Sequence, residues 1–287
     1  MAKQDIAKPA ATAVATADDL GLFEGAVVTG FENVQASDLA TPFLTILQKG
    51  SPELAKAKGE YIQGAEVGNI LNTVSNKLYQ ELFVIPCGHR SAIVEWKPRE
   101  TGGGYVRQYD ANEQLQGVVT NDKGQKFLNG NLLVDTKYHF VVVVDLQQKT
   151  FYRSVISMTS TQLKKSRSWL PMQMSLKSCG RQVPAWAQLY KLTTAYEENA
   201  KGDWYGWNIQ LERALMGWKK SGLKEQTVYT AELFLDEVPA EALAEAKSFT
   251  EYVVSGQAAI DPRAQRVESA VEPSAIDEVL TDDKSPV

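Results

Sequence analysis

Disulfides and metal ligands are scarce in this chain of 287 residues, which has two cysteines, Cys87 and Cys179, and two histidines. Two cysteines cannot build a disulfide framework, so a reducing, cytoplasmic compartment is expected. A zinc site needs paired ligands at short repeated spacings, and the single C-x-H at Cys87 and His89 does not supply them. We therefore expect no metal and no cofactor.

Long apolar runs are also absent. The longest, from Phe140 to Val144, is far shorter than the roughly 20 residues of a membrane helix, so no membrane span is expected. The N-terminal segment lacks the continuous apolar core of a signal peptide. A hydrophobic fraction of 44% and a charged fraction of 23% exclude disorder along the whole chain.

Catalytic signatures are weak. There is no G-x-S-x-G nucleophile elbow, and Gly102-Gly103-Gly104 is followed by neither a P-loop nor a dinucleotide fingerprint. These glycines predict a plain turn or, alternatively, a mobile loop that closes over a phosphate backbone beside Arg99 and Arg107. Glu95-Trp96-Lys97 has the E-x-K spacing of one class of metal-dependent nucleases. We expect no enzymatic activity and keep a nuclease as the last alternative.

Acidic residues are unevenly distributed. The net charge of -5 belongs to residues 268–287, which contain six acids and one lysine, so residues 1–267 are neutral overall. Within that neutral body, the 51 residues from Leu146 to Tyr196 contain eight bases and no acid. Charge asymmetry of this kind indicates a binding partner where the average charge does not.

The pattern of apolar and turn residues predicts one β-rich domain with added helices. Residues 61–158 carry short strand-like runs, and the clearest are Lys137–Leu146 and Thr150–Met158, which predict a hairpin. Four consecutive valines in its first arm indicate a strand buried on both faces. Two later strands are predicted near the C-terminal half; the two runs are Trp204–Ile209 and Thr227–Leu235.

Helices are predicted at five places. They are Pro42–Lys49, a segment carrying Leu163 to Arg167 that Pro171 interrupts, Met172–Lys177, Pro184–Tyr190 and Pro239–Val254. The boundaries that follow are a disordered arm at 1–19, a single domain at 20–256 and an acidic flexible tail at 257–287. The fold class is α+β, with a β-barrel core, added helices and disordered termini.

Aromatic and basic residues alternate in the acid-free segment and beyond it. Tyr152-Arg153, Arg167-Ser168-Trp169 and Trp218-Lys219-Lys220 each place a ring next to a cation. Proteins bind single-stranded nucleic acid with such a mixture, because cations track phosphates while rings stack on bases.

In organisation, the chain resembles bacteriophage single-stranded DNA-binding proteins. The resemblance lies in KYHFVVVVDLQQKTFYRSVISM, QLKKSRSWLPM and the acidic end IDEVLTDDKSPV. It implies an OB-type β-barrel, binding without catalysis during DNA replication and recombination, and a C-terminal tail that contacts replication proteins such as a polymerase or helicase-primase. The host cytoplasm is the expected location.

The predicted sites follow from these patterns. Single-stranded DNA is expected to contact Lys149, Tyr152, Arg153, Lys164, Lys165, Arg167, Trp169, Lys177, Arg181, Trp186, Arg99 and Arg107. The partner-binding acids of the tail are Asp277, Glu278, Asp282 and Asp283. A strand-annealing recombination protein and a virion structural protein are the alternatives. The preference for DNA or RNA and the oligomeric state, including a homo-oligomer, stay open.

Overall fold

The computed structural model describes residues 41–98, 101–200, 202–222, 227–258 and 260. The strands are β1 (Phe43–Ile46), β2 (Ile70–Asn72), β3 (Leu78–Tyr79), β4 (Glu81–Trp96), β5 (Tyr105–Asp110), β6 (Val119–Thr120), β7 (Lys126–Leu128), β8 (Asn131–Asp145), β9 (Thr150–Thr159), β10 (Lys177–Ser178), β11 (Arg181–Gln182), β12 (Gln188–Asn199), β13 (Gly202–Ala214), β14 (Met216–Ser221) and β15 (Val228–Leu233). The α-helices are α1 (Leu163–Ser175) and α2 (Ala240–Val254). Single 3-10 turns lie at Pro52–Leu54, Ser160–Gln162 and Ala185–Ala187.

The hairpin of β8 and β9 lies at the centre of the main sheet and confirms the expected pairing. Asp145 accepts hydrogen bonds from the backbone of the two residues that open the turn, and Lys149 adopts a φ of 57° before β9 begins. The four valines of β8 are buried on both sides, as expected. Val141 and Val143 pack into one core cluster, whereas Val142 and Val144 pack into the other.

The main sheet curls until strands that are far apart in it make contact. Its order is β13-β12-β4-β8-β9-β1-β2-β3, and β5, β6 and β7 extend one side. Gln48, just after β1, accepts a 2.9 Å hydrogen bond from Tyr205 N in β13 and donates one of 2.9 Å to Tyr205 O. A side-chain amide thus replaces a strand partner at this contact. Nearby, the Thr194 hydroxyl donates a 2.7 Å hydrogen bond to the Gly68 carbonyl.

A second glutamine continues the same seam along β13. Gln162, at the start of α1, is buried and accepts a 3.0 Å hydrogen bond from Trp207 N. We call the line formed by Gln48, Gln162 and the β13 edge the glutamine seam. The described chain is therefore mostly β, with a curled half-barrel sheet and two α-helices, which is compatible with the expected β-barrel core.

Two apolar clusters lie on opposite faces of this sheet. The cluster inside the curl contains large side chains such as Leu44, Ile46, Tyr190 and Trp207. The other cluster is covered by α2, whose buried positions are Ala242, Leu243, Ala246, Phe249 and Val253. This spacing of three and four residues gives α2 an apolar stripe, so α2 packs by hydrophobic burial.

Two predicted helices are wrong. Within the predicted segment 42–49, Phe43–Ile46 form β1, because Phe43, Leu44 and Ile46 fill a strand position between β9 and β2. A short apolar run has no periodicity that separates helix from strand, and tertiary pairing decides. Residues 184–190 contain one 3-10 turn followed by β12, which pairs with both β4 and β13.

The predicted break at Pro171 is also wrong. α1 runs through Pro171 to Ser175, so the expected segment at 172–177 is mainly the end of the same helix. Pro171 is exposed, which leaves the carbonyl one turn earlier free to face water. By contrast, the helix expected at 239–254 is confirmed, with Gly256 at a φ of 78° just beyond it.

Most of the expected termini lie outside the described residues. The predicted arm at 1–19 lies wholly outside the described residues. Of the predicted tail at 257–287, the structure describes residues 257, 258 and 260. Ala258 is buried, and its carbonyl accepts a 2.8 Å hydrogen bond from Arg90. The packed chain therefore extends slightly beyond the predicted boundary at 256.

Candidate nucleic-acid interface

The outer side of α1 is cationic. Lys164 and Arg167 are three residues apart, so their side chains lie on the same side of the helix, and both are exposed. Met174 continues the solvent side with 66% of its surface exposed. Since the helix contains no acid, nothing on α1 itself neutralises these two charges.

The inner side of α1 is polar, unlike that of α2. Ser166 Oγ lies 2.8 Å from His139 Nε2, and the Trp169 indole stacks on the same imidazole with 4.7 Å between ring centres. One turn further, the Gln173 carbonyl accepts a 2.9 Å hydrogen bond from Gln188 Nε2. α1 is therefore held on the sheet largely by hydrogen bonds and ring stacking.

The histidine beneath α1 is neutral at physiological pH. Burial, together with the neighbouring His89 and Lys137, lowers the pKa of His139 from its ordinary 6.5 to about 3. Burial likewise lowers the pKa of His89, whose ring centre is 5.0 Å from that of His139. A neutral imidazole can share a hydrogen bond with Ser166 without the cost of a buried charge.

Two short strands after α1 place further cations at a tight hairpin. β10 pairs with β11, so Lys177 lies opposite Gln182 and Ser178 opposite Arg181. The two residues between the strands, Cys179 and Gly180, have φ values of 49° and 77°. Positive φ at both central positions is typical of type I′ turns, which match the twist of paired strands. Lys177 and Arg181 are exposed on this hairpin.

A second hairpin places two rings beneath Arg181. In the β14–β15 pair, Trp218 lies opposite Ala231 and Lys220 opposite Tyr229, so all four side chains share one face. The Arg181 guanidinium carbon is 4.7 Å from the Trp218 ring centre and 4.8 Å from the Tyr229 ring centre. We call Trp218 and Tyr229 the two-ring platform. Both rings are half-buried.

Hydrogen bonds fix the Trp218 side of the platform to the first hairpin. Trp218 N donates to Ser178 Oγ at 2.9 Å, and Trp218 Nε1 donates to the Gln182 carbonyl at 3.4 Å. The opposite face of the second hairpin carries the ion pair of Lys219 with Glu232 at 3.3 Å. The acid of this hairpin therefore lies on the face away from the platform.

Five exposed cations of this region form no ion pair with any residue that the structure describes. They are Lys164, Arg167, Lys177, Arg181 and Lys220. Four of them belong to the predicted DNA-contacting set. These four lie in one stretch of the chain, from α1 to the β10–β11 hairpin.

Arg153 is placed quite differently. Its Nε forms an ion pair with Glu245 of α2, and its guanidinium lies over the rings of Phe249 at 4.8 Å and Tyr252 at 5.9 Å. Both the charge and the rings are used to hold α2 against the sheet. As placed, Arg153 is a packing residue rather than a free cation.

Two predicted lysines also have partners within the chain. Lys165 forms an ion pair with Glu197 of β12, and Lys149 donates to the backbone carbonyl of Glu237. These contacts compete with a phosphate for the same ammonium groups. Lys149 and Lys165 therefore differ from the five cations described above, which have no ion-pair partner among the described residues.

The predicted aromatic contacts require a correction. Trp169 is fully buried between His139 and Tyr190, so its ring is not available to stack on a base. Trp186 is half-buried against the core cluster beneath α2. Tyr152 is half-buried and lies 3.1 Å from Tyr79 between their hydroxyl oxygens.

The glycine-rich segment lies in the connection between β4 and β5. Gly102, Gly103 and Gly104 have φ values of 99°, 64° and 109°, which favour glycine. Arg107, in β5, is exposed with its guanidinium 5.0 Å from the Tyr109 ring centre. Arg99 lies outside the described residues, as do the four predicted acids of the tail.

The residues weighed for catalysis have structural contacts. Glu95 is buried, and its two carboxylate oxygens accept 2.7 Å hydrogen bonds from Tyr109 and Asn131. Burial raises the pKa of the Cys87 thiol to about 12, so it is protonated at neutral pH. Among the described residues, no group of three or more His, Cys, Asp or Glu side chains is arranged to hold a metal ion.

The chain was compared with known families and proteins. A family model described as Pam3 phage gp34-like protein matches residues 10–259. The chain belongs to this family. Membership confirms the phage part of the sequence resemblance. No curated protein and no solved structure matches the chain.

The match covers every element that builds the candidate interface of this gp34-like protein, including α1 and both small hairpins. In the described part of the chain, no helix has the length and apolarity that crossing a membrane requires.

The predicted set omitted the residues of the second hairpin. Trp218 and Lys220 are two residues apart in β14, a spacing that places both on one face of a strand. That alternation was readable from the sequence. Tyr229 carried no such signal, because only the strand register shows that it lies opposite Lys220.

Proposed function

We propose that this gp34-like phage protein binds single-stranded DNA without catalysis. The observation that carries the proposal is the group of five exposed cations without ion-pair partners among the described residues, beside the two-ring platform. Cations attract phosphates regardless of sequence, and aromatic faces accept any base. The combination suits a ligand that is both anionic and planar.

Single strands are favoured over duplexes by the rings. In a duplex the bases stack on one another, so only their edges face the grooves. Single strands expose their faces to side chains such as Trp218 and Tyr229. Lys220, on the same face as the rings, and Lys177, in the neighbouring hairpin, would contact phosphates along the strand.

The curled half-barrel would serve as an OB-like platform for this interface. Support comes from its β-rich core and from the two small hairpins after α1, which are separate from the main sheet. An oligonucleotide would then run along the α1 side of the protein. On this proposal the protein protects single strands in the host cytoplasm during phage DNA replication or recombination.

The acidic end would act as a weak competitor for the same cations. Residues 268–287 carry the whole net charge of the chain, at six acids and one lysine. An attached acidic segment is present at high local concentration, so it can occupy a cationic face until DNA displaces it. Once displaced, Asp277, Glu278, Asp282 and Asp283 are free to contact replication proteins.

Fluorescence anisotropy with labelled oligo-dT at several NaCl concentrations tests the proposal. If about four cations contact phosphates, log Kd should change with log [NaCl] with a slope of magnitude near 3, at about 0.7 per contact. The double variant Lys164→Gln, Arg167→Gln should weaken binding and reduce this slope. Its matched control is Lys49→Gln, because Lys49 is neutralised by Asp203 at 2.5 Å.

The results of these measurements can refute the proposal in two ways. Weak binding that does not change with salt, or equal losses in the double variant and the control, would refute the assignment. A duplex of the same sequence should bind more weakly than the single strand. Equal affinity for both would show that the rings are not used.

A further inference from the structure

We propose that Trp218 and Tyr229 are the base-stacking site, and that Arg181 covers this site until a single strand displaces its guanidinium from the rings to a phosphate. The inference rests on the proposed function and deepens it. It assigns two residues to the bases and gives one arginine two alternative positions.

The geometry of the rings carries the first step. Trp218 and Tyr229 are diagonal neighbours on one face of the β14–β15 hairpin, and Arg181 lies within 4.8 Å of both ring centres. A guanidinium is planar, so it stacks on an aromatic face much as a base does. The position that Arg181 occupies is therefore one in which a base fits.

Anchoring of the platform carries the second step. Trp218 is held by its backbone N–H to Ser178 and by its indole N–H to the Gln182 carbonyl. These bonds leave the ring where it is when the guanidinium moves away. Arg181, in contrast, is exposed and forms no ion pair with a described residue. Among the described residues, only the cation–π contacts with Trp218 and Tyr229 hold the guanidinium over the rings.

Charge decides which occupant the platform takes. Arg181 and Lys220 lie beside the rings, and the acid of the second hairpin, Glu232, lies on its other face. A cationic peptide that offered its own arginine would be repelled by these two charges. An oligonucleotide offers planar bases and anionic phosphates together, so it satisfies the rings and the cations at once.

The experiment separates stacking from charge. Anisotropy with labelled oligo-dT is measured on the full chain between 50 mM and 400 mM NaCl, and log Kd is extrapolated to 1 M, where the ionic contribution vanishes. Trp218→Leu and Tyr229→Leu should each raise the extrapolated Kd by at least about fivefold and leave the slope unchanged. Arg181→Gln should reduce the slope by about 0.7 without raising the extrapolated Kd. Arg181→Lys should keep the slope.

Tyr196→Leu is the matched control. This tyrosine is 53% exposed but lies among acids, and its hydroxyl donates to Glu198 at 3.0 Å. Its removal should change neither the slope nor the extrapolated Kd. Photocrosslinking with 5-iodouracil in the oligonucleotide should label Trp218 or Tyr229, as identified by mass spectrometry.

The failures are distinguishable. If the wild-type chain binds oligo-dT with the expected salt dependence but both leucine variants bind equally well, the stacking site is wrong and the proposed function stands. If the wild-type chain does not bind oligo-dT, both are overturned. If Trp218→Leu abolishes binding of a hexa-arginine peptide and leaves oligo-dT binding unchanged, the platform takes cationic peptides and the inference is wrong.

Discussion

Arg153 and Arg181 each lie over a pair of aromatic rings. They differ in that, among the described residues, only Arg153 also has an acidic partner. Arg153 covers Phe249 and Tyr252 and is also paired with Glu245. Arg181 covers Trp218 and Tyr229 at similar distances, and no described acid pairs with it.

The difference separates a packing contact from an interface. The acid at Arg153 neutralises the charge, and the apolar stripe of α2 buries Phe249 beneath the guanidinium, with only 4% of its surface exposed. At Arg181 the rings stay half-exposed, and no acid in the described part of the chain pairs with the guanidinium. Sequence neighbours do not reveal this contrast. Tyr152 precedes Arg153, whereas no aromatic residue stands within two positions of Arg181, and yet both guanidinium groups lie over rings.

The largest expected effect is on the packed site. Phe249→Ala should lower the free energy of unfolding by about 3 to 5 kcal/mol, because it removes a buried ring that also contacts Phe140. Oligo-dT affinity of the folded protein should not change. The counterpart Tyr229→Ala should cost less than about 1 kcal/mol of stability and weaken DNA binding. Urea unfolding and anisotropy give both quantities. If Phe249→Ala weakened DNA binding and Tyr229→Ala mainly lowered stability, the distinction between the two sites would be wrong.

The second-largest effect is expected from acid, which should lower the free energy of unfolding through His139 beneath α1. In the unfolded chain His139 binds a proton below its ordinary pKa of 6.5, whereas in the folded protein it does so only near 3. Folding therefore excludes a proton in this range, and the stability present at pH 7 is lost as the pH falls. The free energy of unfolding should decrease by roughly 2 kcal/mol between pH 7 and pH 5, where most carboxylates are still ionised.

Urea unfolding at the two pH values measures this decrease. His139→Gln should show a flatter pH dependence, whatever its absolute stability. Since the chain has two histidines, NMR titration also follows them directly. A His139 midpoint near 6.5 would contradict the buried neutral imidazole.

An acid placed beside Arg181 should turn the open site into a closed one. Ala231 is exposed and lies opposite Trp218 on the platform face, so Ala231→Glu introduces the carboxylate that Arg153 already has. Oligo-dT affinity at 50 mM NaCl should fall about tenfold. Thr230→Glu carries the same charge to the other face of the hairpin and should have a much smaller effect. Equal losses in the two variants would indicate a general charge effect.

The smallest effect is expected on removing the acid at Arg153. Glu245→Gln should cost less than about 1 kcal/mol of stability, because the pair is partly exposed and the rings still hold the guanidinium. Oligo-dT affinity should change by less than about twofold, since Phe249 of α2 stays buried against the sheet. A marked gain in affinity would show that pairing alone separates the two sites.

Local patterns in the sequence were enough for the elements that are formed by neighbouring residues. The β8–β9 hairpin and α2 were predictable because the alternation of apolar residues, the turn and the glycine after α2 all agree. β1 was not predictable, because its strand conformation depends on pairing with β9, more than 100 residues away.

The candidate interface was predictable in its charge and less so in its rings. The absence of acids around α1 indicated the cations Lys164, Arg167, Lys177 and Arg181. Which tryptophan is buried depends on the fold, because Trp169 fills the space between α1 and the sheet while Trp218 lies on a projecting hairpin. Adjacency to a basic residue is the same in both cases.

The glutamine seam has a consequence for the order of folding. Gln48 and Tyr205 are 157 residues apart, so their contact closes a much longer loop than the turn of the β8–β9 hairpin. During synthesis, Gln48 leaves the ribosome long before Tyr205 exists. We therefore expect the hairpins to form first and the sheet to stay open until β13 is made, so that closure of the barrel is a late event in the life of each new chain.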